Sequence, residues 1–142
     1  MAFVSIAVIN GTSVISPAGV VYARMLASAL GGRGLSEWLG RDAGFERHPR
    51  AQNEGIRHCH VRLMGKDEPW NHSTRQFARV SDNFLVYARH WQYDNYYQIL
   101  ALLSPDAHTS INSLLPAFCA HTERSFSCLS EYELRQLANI SG

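Results

Sequence analysis

The chain has 142 residues, 46% of them hydrophobic and 18% charged, with a formal net charge of +1. That length sets the expectation of one domain around a single core, and the composition excludes a disordered chain. So small a net charge excludes a protein held to nucleic acid by its bulk field alone.

The apolar, β-branched run from Phe3 to Ile9, closed by Asn10-Gly11, predicts a first strand. Ser16-Pro17 then supplies an N-cap and a first-turn proline, Tyr22, Met25, Leu26 and Ala29 recur at helical spacing, and Gly31-Gly32 stops the helix. "LSEWLGRDAG" reads as a second, short helical piece packing Leu35, Trp38 and Leu39, and Phe45 to Asn53, with Pro49, as a loop. "GIRHCHVRL" (Gly55 to Leu63) alternates as a strand, with Cys59, Val61 and Leu63 on one face and His58, His60 and Arg62 on the other. "GKDEPWNHSTRQ" after it reads as a long exposed loop. "NFLVYARHW" predicts a third strand, with Phe84, Val86 and Ala88 on one face and Leu85, Tyr87, Arg89 and Trp91 on the other. "YYQILALLS", apolar on both faces, predicts a central covered strand, antiparallel to the third across the "YDN" turn.

Beyond Pro105, the residues Ile111, Leu114, Leu115, Phe118, Cys119 and Thr122 form one helical stripe with Pro116 on its outer side. Ser130 and Glu133 make a capping box for a last short helix. The order βα(α)βββα predicts an α+β fold, a small sheet with helices over one face. The open face would then carry His58, His60, Arg62, Tyr87 and Arg89.

The positive charge consists of twelve arginines and a single lysine, Lys66. Arginine suits bidentate phosphate contacts and stacking on bases, although a genomic bias toward arginine codons produces the same excess. Cys59, Cys119 and Cys128 show no C-x-x-C spacing and read as free thiols of a reducing compartment. No apolar run of the second half exceeds "ILALL", and the opening "MAFVSIAVINGTS" lacks a basic n-region. The expectation is a soluble cytoplasmic protein without a membrane partner.

A polar sheet face with imidazoles, guanidiniums and aromatics suits RNA cleavage. The 2′-hydroxyl must lose a proton and the leaving 5′-oxygen must gain one, and imidazole titrates in the right range for both. Arginine stabilises the charge that develops in between, and tyrosine or tryptophan can stack an unpaired base. Three other readings stand beside this one. The two histidines can be solvated side chains on a strand face. They can begin a metal site completed by His90, His108 or Asp94. Tyr87 and Trp91 can cover core edges, and Cys59 fills the core more readily than it binds metal.

The segments "LGRDAGFE" (Leu39 to Glu46), "HCHV" (His58 to Val61), "RQFARVSD" (Arg75 to Asp82), "LVY" (Leu85 to Tyr87) and "ILALLSPDAH" (Ile99 to His108) follow one another in this chain. Together, over roughly Phe3 to Phe126, they resemble the YafO family of type II toxins, mRNA interferases related to RelE-like toxins. Cleavage by attack of a 2′-hydroxyl needs only proton transfer and charge stabilisation, so no metal or other cofactor is expected. The resemblance implies a RelE-like toxin domain that cuts mRNA in association with the translating ribosome and is neutralised by a cognate antitoxin. It places His58 and His60 on the family's paired histidines, and Arg75, Arg79 and Asp82 on its "RQF-x-R…D" segment. Tyr87 falls on "LVY", His108 on the end of "P-x-x-H", and Arg41 and Asp42 on "GRD".

The resemblance does not assign acid and base; from the chemistry of the residue types, the roles expected are proton transfer by His58 or His60, transition-state stabilisation by Arg79 and substrate orientation by Tyr87. His108 is the alternative acid, and Arg62, Arg75, Arg89 and Trp91 are RNA contacts. Arg41, Asp42 and Asp82 belong to motifs of open role, a pairing of Asp42 with Arg41 or a turn cap being as good a reading as catalysis. Phe45-Glu46 departs from the family's usual aromatic and aspartate. Residues 128–142 have no counterpart and are expected to be a helical extension on the core or against the antitoxin. The rival reading is a non-catalytic RNA- or protein-binding module on the same fold.

Overall fold

Tyr22, Ala23, Leu26 and Ala27 bury one face of the first long helix, α1 (Gly19–Leu30). Gly32 ends it with a positive φ of 75°, the N–H of Arg33 reaching the Ser28 carbonyl at 2.8 Å and that of Gly32 the Ala29 carbonyl at 3.2 Å. That is the paired-bond stop that a glycine makes cheap. The computed structural model describes residues 1–9, 12–13 and 19–142. The Asn10-Gly11 turn and the Ser16-Pro17 cap lie outside the described residues.

Before α1 come β1 (Phe3–Ile6), β2 (Val8–Ile9) and β3 (Thr12–Ser13), and after it β4 (Leu39–Gly44), α2 (Pro49–Asn53) and β5 (Ile56–Val61). A 3-10 turn at Gln76–Ala78 precedes β6 (Phe84–Arg89), β7 (Tyr96–Leu103), α3 (Ala107–Ser125) and α4 (Glu131–Arg135). One five-stranded sheet runs β1-β7-β6-β5-β4, with β1 parallel to β7 and the remaining pairs antiparallel. The fold is α+β with a mostly antiparallel sheet, consistent with a small RelE-like architecture. The interior strand β7 is covered as expected, and β6 occupies the centre.

The helices pack on both faces rather than one. Ile111, Leu115 and Phe118 of α3 share a core with Phe84, Val86 and Leu100. Tyr22 and Leu26 of α1 share a second core with Cys59, Val61, Leu85 and Tyr87. Burial on both sides explains why "FLVYA" and "YYQILALL" lack polar alternation. The open face expected to carry five site residues therefore does not exist. Register divides that set as well: His58 stands opposite Val86 and His60 opposite Phe84, whereas Arg57 stands opposite Tyr87. His58 and His60 consequently face α3, and Tyr87 faces α1.

Two local expectations are corrected. The Leu39–Gly44 part of the expected second helical piece is strand β4, because Leu39, Ala43 and Gly44 pair with Val61, His58 and Arg57. Gly40 admits a close neighbour there: a Cβ on it would lie 2.5 Å from the Arg79 carbonyl oxygen. The stretch read as a loop contains α2, which Pro49 starts rather than breaks. His48 caps it, its Nδ1 accepting the Ala51 N–H at 3.0 Å.

The capping box of α4 is present, with Ser130 and Glu133 bonded reciprocally. Leu134 is fully buried, and Ile140 exchanges two backbone bonds with Val4, at 2.9 and 2.7 Å, along the free edge of β1. Leu134→Ala is expected to cost about 2–5 kcal/mol in denaturant unfolding, the range for a core leucine truncation. A loss below about 0.5 kcal/mol, as at surface sites, would show that α4 rests on the core without contributing to it.

Candidate active site

Strand β5 delivers two imidazoles to the α3 side, and their surroundings differ. The His58 ring is packed between Phe45 and Phe84, each 4.6 Å away between centroids. Its Nδ1 is buried and has no hydrogen-bond partner among the described residues. Burial, and secondarily the neighbouring charges of His60, His108 and Arg57, push its pKa down to about 4, so the ring is neutral at pH 7. The His60 ring lies 5.6 Å from His58 and 5.6 Å from His108. Its Nδ1 sits 2.9 Å from both the N–H and the carbonyl oxygen of Ser81, accepting from the one or donating to the other according to tautomer. Burial lowers its pKa too, opposed by the Ser81 backbone contact.

His108 stands in the first turn of α3, its Nδ1 2.6 Å from Asp82 Oδ1, which also accepts the His108 backbone N–H at 3.0 Å. The Asp82 main-chain carbonyl takes the N–H of Ala107 at 3.1 Å. The donors of His108, backbone first, hold the Asp82 carboxyl below its usual range. The carboxylate thereby caps the helix start and orients the imidazole. Arg41, His58, His60, Ser81, Asp82 and His108 line one cleft of about 510 Å³. Over its edge the Arg41 guanidinium stacks on Phe77, 4.1 Å from the ring centroid, and that ring is 72% exposed.

The structure does not bring the other expected residues here. Arg79 is buried, and its guanidinium donates to the carbonyls of Thr74 (2.9 Å), Ser36 (3.1 Å) and Leu39 (3.0 Å). It fastens the loop after β5 to β4 and does not line the cleft. Tyr87 is buried on the α1 side, its hydroxyl donating to Asp42 Oδ2. Burial, followed by the Asp42 charge, raises its pKa. Asp42 also takes the Arg57 Nε–H at 3.1 Å, so its partners are Tyr87 and Arg57, not Arg41.

Arg62 lies over Trp70 at 4.7 Å and donates to the Glu68 carbonyl at 3.1 Å. Arg89 pairs with Asp94 at 3.1 Å, and exposed Trp91 donates to the Ser127 carbonyl at 2.8 Å, both at the end of β6 away from the cleft. Arg75 is exposed just before the 3-10 turn. His90 and Asp94 sit at that same far end, so neither joins His58 and His60. Among the described residues no group of three or more His, Cys, Asp or Glu side chains is placed to hold a metal ion.

Reasoning from residue types missed Ser81 and Phe77, although both lie inside "RQFARVSD". Ser81 acts through its backbone, which no side-chain pattern signals. Arg57 was missed too; the signal for it is its alternation with Cys59 on β5.

A family model described as toxin YafO, type II toxin-antitoxin system, matches residues 27–127, most of the chain and all five of its motifs. The chain belongs to the YafO toxin family. No curated protein and no solved structure gives a significant match. The chain is thus a toxin of a type II system, which implies an antitoxin partner. No described helix of this toxin is long and apolar enough to cross a membrane.

The buried rings couple the toxin's folding to pH. The folded pKa of His58, about 4, lies below its ordinary value of 6.5. Between these values the unfolded chain binds more protons, so stability falls as pH drops through that window. His60, His90 and His121 are shifted in the same direction by burial. His58→Phe fills the same slot without titrating and removes an unpartnered nitrogen. It is expected to keep or raise stability at pH 7 and to flatten part of the loss between pH 6.5 and 4. Unfolding curves across that range, with equal slopes for both proteins, would refute this account of His58.

Proposed function

We propose that this toxin is an endoribonuclease that cuts mRNA on the translating ribosome by metal-independent attack of a 2′-hydroxyl. The observation that carries the reading is the convergence of His60, the Asp82–His108 pair and Arg41 on one cleft of a YafO-family chain. His60, kept neutral by burial, takes the 2′-hydroxyl proton. The 2′-oxygen forms a bond to phosphorus as the bond to the 5′-oxygen breaks. His108, aligned by Asp82, returns a proton to that leaving oxygen, so the products are a 2′,3′-cyclic phosphate and a free 5′-hydroxyl. Arg41 faces the charge that builds on the phosphoryl oxygens, the part first assigned to Arg79. The exposed Phe77 ring supplies a surface for an unpaired base.

His58 in this reading is a positioning residue, its ring wedged so that β5 holds His60 in place. Docking of mRNA by the ribosome supplies orientation that a chain of net charge +1 does not secure through its bulk field.

Induced expression should arrest growth, and co-expression of the cognate antitoxin should restore it. Primer extension on mRNA should show cuts that survive chelation, with His60→Ala and His108→Ala each lowering their rate by roughly 10²–10⁴. Growth arrest without cuts would give the site to binding rather than cleavage. Cuts lost on chelation and restored by one divalent ion would replace the metal-independent step.

A further inference from the structure

A second cleft of about 420 Å³ adjoins the first, and Arg41 and Ala43 line both. Arg47, His48 and Asn112 line it further along, with Phe45, whose ring also stacks on His58 of the first cleft. The two cavities therefore share a wall at Arg41 and Ala43, beside the histidines. His48 is spent on capping α2, but two polar groups of the second cleft are free to meet a ligand. Arg47 and Asn112 are exposed, and neither side chain has a hydrogen bond or ion pair among the described residues. Among the described residues the Arg41 side chain engages the Phe77 ring and forms no hydrogen bond or ion pair. One carboxylate, Glu46, lines the same cleft against the guanidiniums of Arg41 and Arg47, which leaves an excess of positive charge.

An amide offers both a donor and an acceptor, whereas a phosphate only accepts. Single-stranded RNA matches both needs: phosphates for guanidinium, and splayed base edges for an amide.

We propose that the second cleft is the subsite for the nucleotide flanking the scissile phosphate, with Arg47 on its phosphate and Asn112 on its base edge. Asn112 then sets part of the sequence preference of cutting. This rests on the ribonuclease reading above, and the test separates the two. Cut sites are mapped at single-nucleotide resolution on translated mRNA for the wild type, His60→Ala, Arg47→Ala and Asn112→Asp, with thermal melts to confirm that each is folded. Arg47→Ala is expected to lower cutting about tenfold at every site. Asn112→Asp keeps the size of the side chain but loses the donor, so it is expected to change base frequency at one position beside the cut. Wild-type rates and frequencies in both variants, with cuts still dependent on His60, would overturn the subsite alone. Absence of cuts by the wild type, or cuts that ignore His60→Ala, would overturn the ribonuclease reading and the subsite with it.

Discussion

The guanidinium of Arg79 is the buried knot where three stretches of chain meet, reinforced by the Trp70 N–H on the Glu37 carbonyl at 2.9 Å and the Gln76 amide on the Gly40 carbonyl at 3.0 Å. Its donors reach carbonyls of Ser36, Leu39 and Thr74, so the turn after α1, the start of β4 and the long loop after β5 are drawn to one point. Its own carbonyl accepts the Arg41 N–H at 2.9 Å, which seals part of the outer edge of β4. An exposed guanidinium would make these bonds no better than water does, but a buried one leaves its acceptors costly to abandon. From that fixed point the chain runs directly through Ser81 and Asp82. Ser81 contacts His60 with its backbone and the Val61 carbonyl with its hydroxyl, and Asp82 caps α3 and holds His108. The geometry of the cleft is thus inherited from a residue that does not touch it.

The sheet then sorts its polar groups by face. The α3 side holds three imidazoles, all packed against the Phe84 ring, and the α1 face receives the Tyr87–Asp42–Arg57 group. Both sets are tied to β4 and β5, so a shift of one strand would misplace both. In Asp42 the charge is met by a tyrosine hydroxyl and a guanidinium, the condition under which a half-buried carboxylate is tolerated. These contacts brace β4 from behind while Arg41 and Ala43 line the cleft on the other side.

What could be read beforehand followed from local periodicity. The strand at Gly55 to Leu63, the two strands around "YDN" and the stripe from Ile111 to Thr122 were legible because side-chain alternation and helical spacing are properties of short segments. Register is not local. A slip of one residue exchanges the faces of a strand, and nothing in the two segments alone sets His58 opposite Val86 rather than Tyr87. That is why two histidines and a tyrosine, expected together, lie on opposite faces. His60 and His108 were named and do meet, and Asp82, carried only as part of a motif, is the partner of His108. The burial of Arg79 was not legible for a different reason: it depends on backbone carbonyls of Ser36, Leu39 and Thr74, which no side-chain pattern signals.

The arginine excess resolves in the same terms. Arg50, Arg57, Arg89 and Arg135 are paired with carboxylates, Arg79 is spent on carbonyls, and Arg62 on Trp70 and the Glu68 carbonyl. Arginine tolerates such varied partners because its planar fork donates in several directions and its face stacks on rings. Of those without a carboxylate partner among the described residues, Arg41 and Arg47 line the two adjoining clefts. A net charge of +1 therefore averages over arginines paired in holding the fold and others, Arg41 and Arg47 among them, that share their clefts with Asp82 and Glu46 but form no ion pair with either among the described residues. Screening confines the field of an unpaired charge to about 8–10 Å at physiological salt, so these two guanidiniums act only on groups within the clefts they line. Under the proposed reaction, that makes the cleft a place where a phosphate already delivered is held, while delivery itself falls to the ribosome.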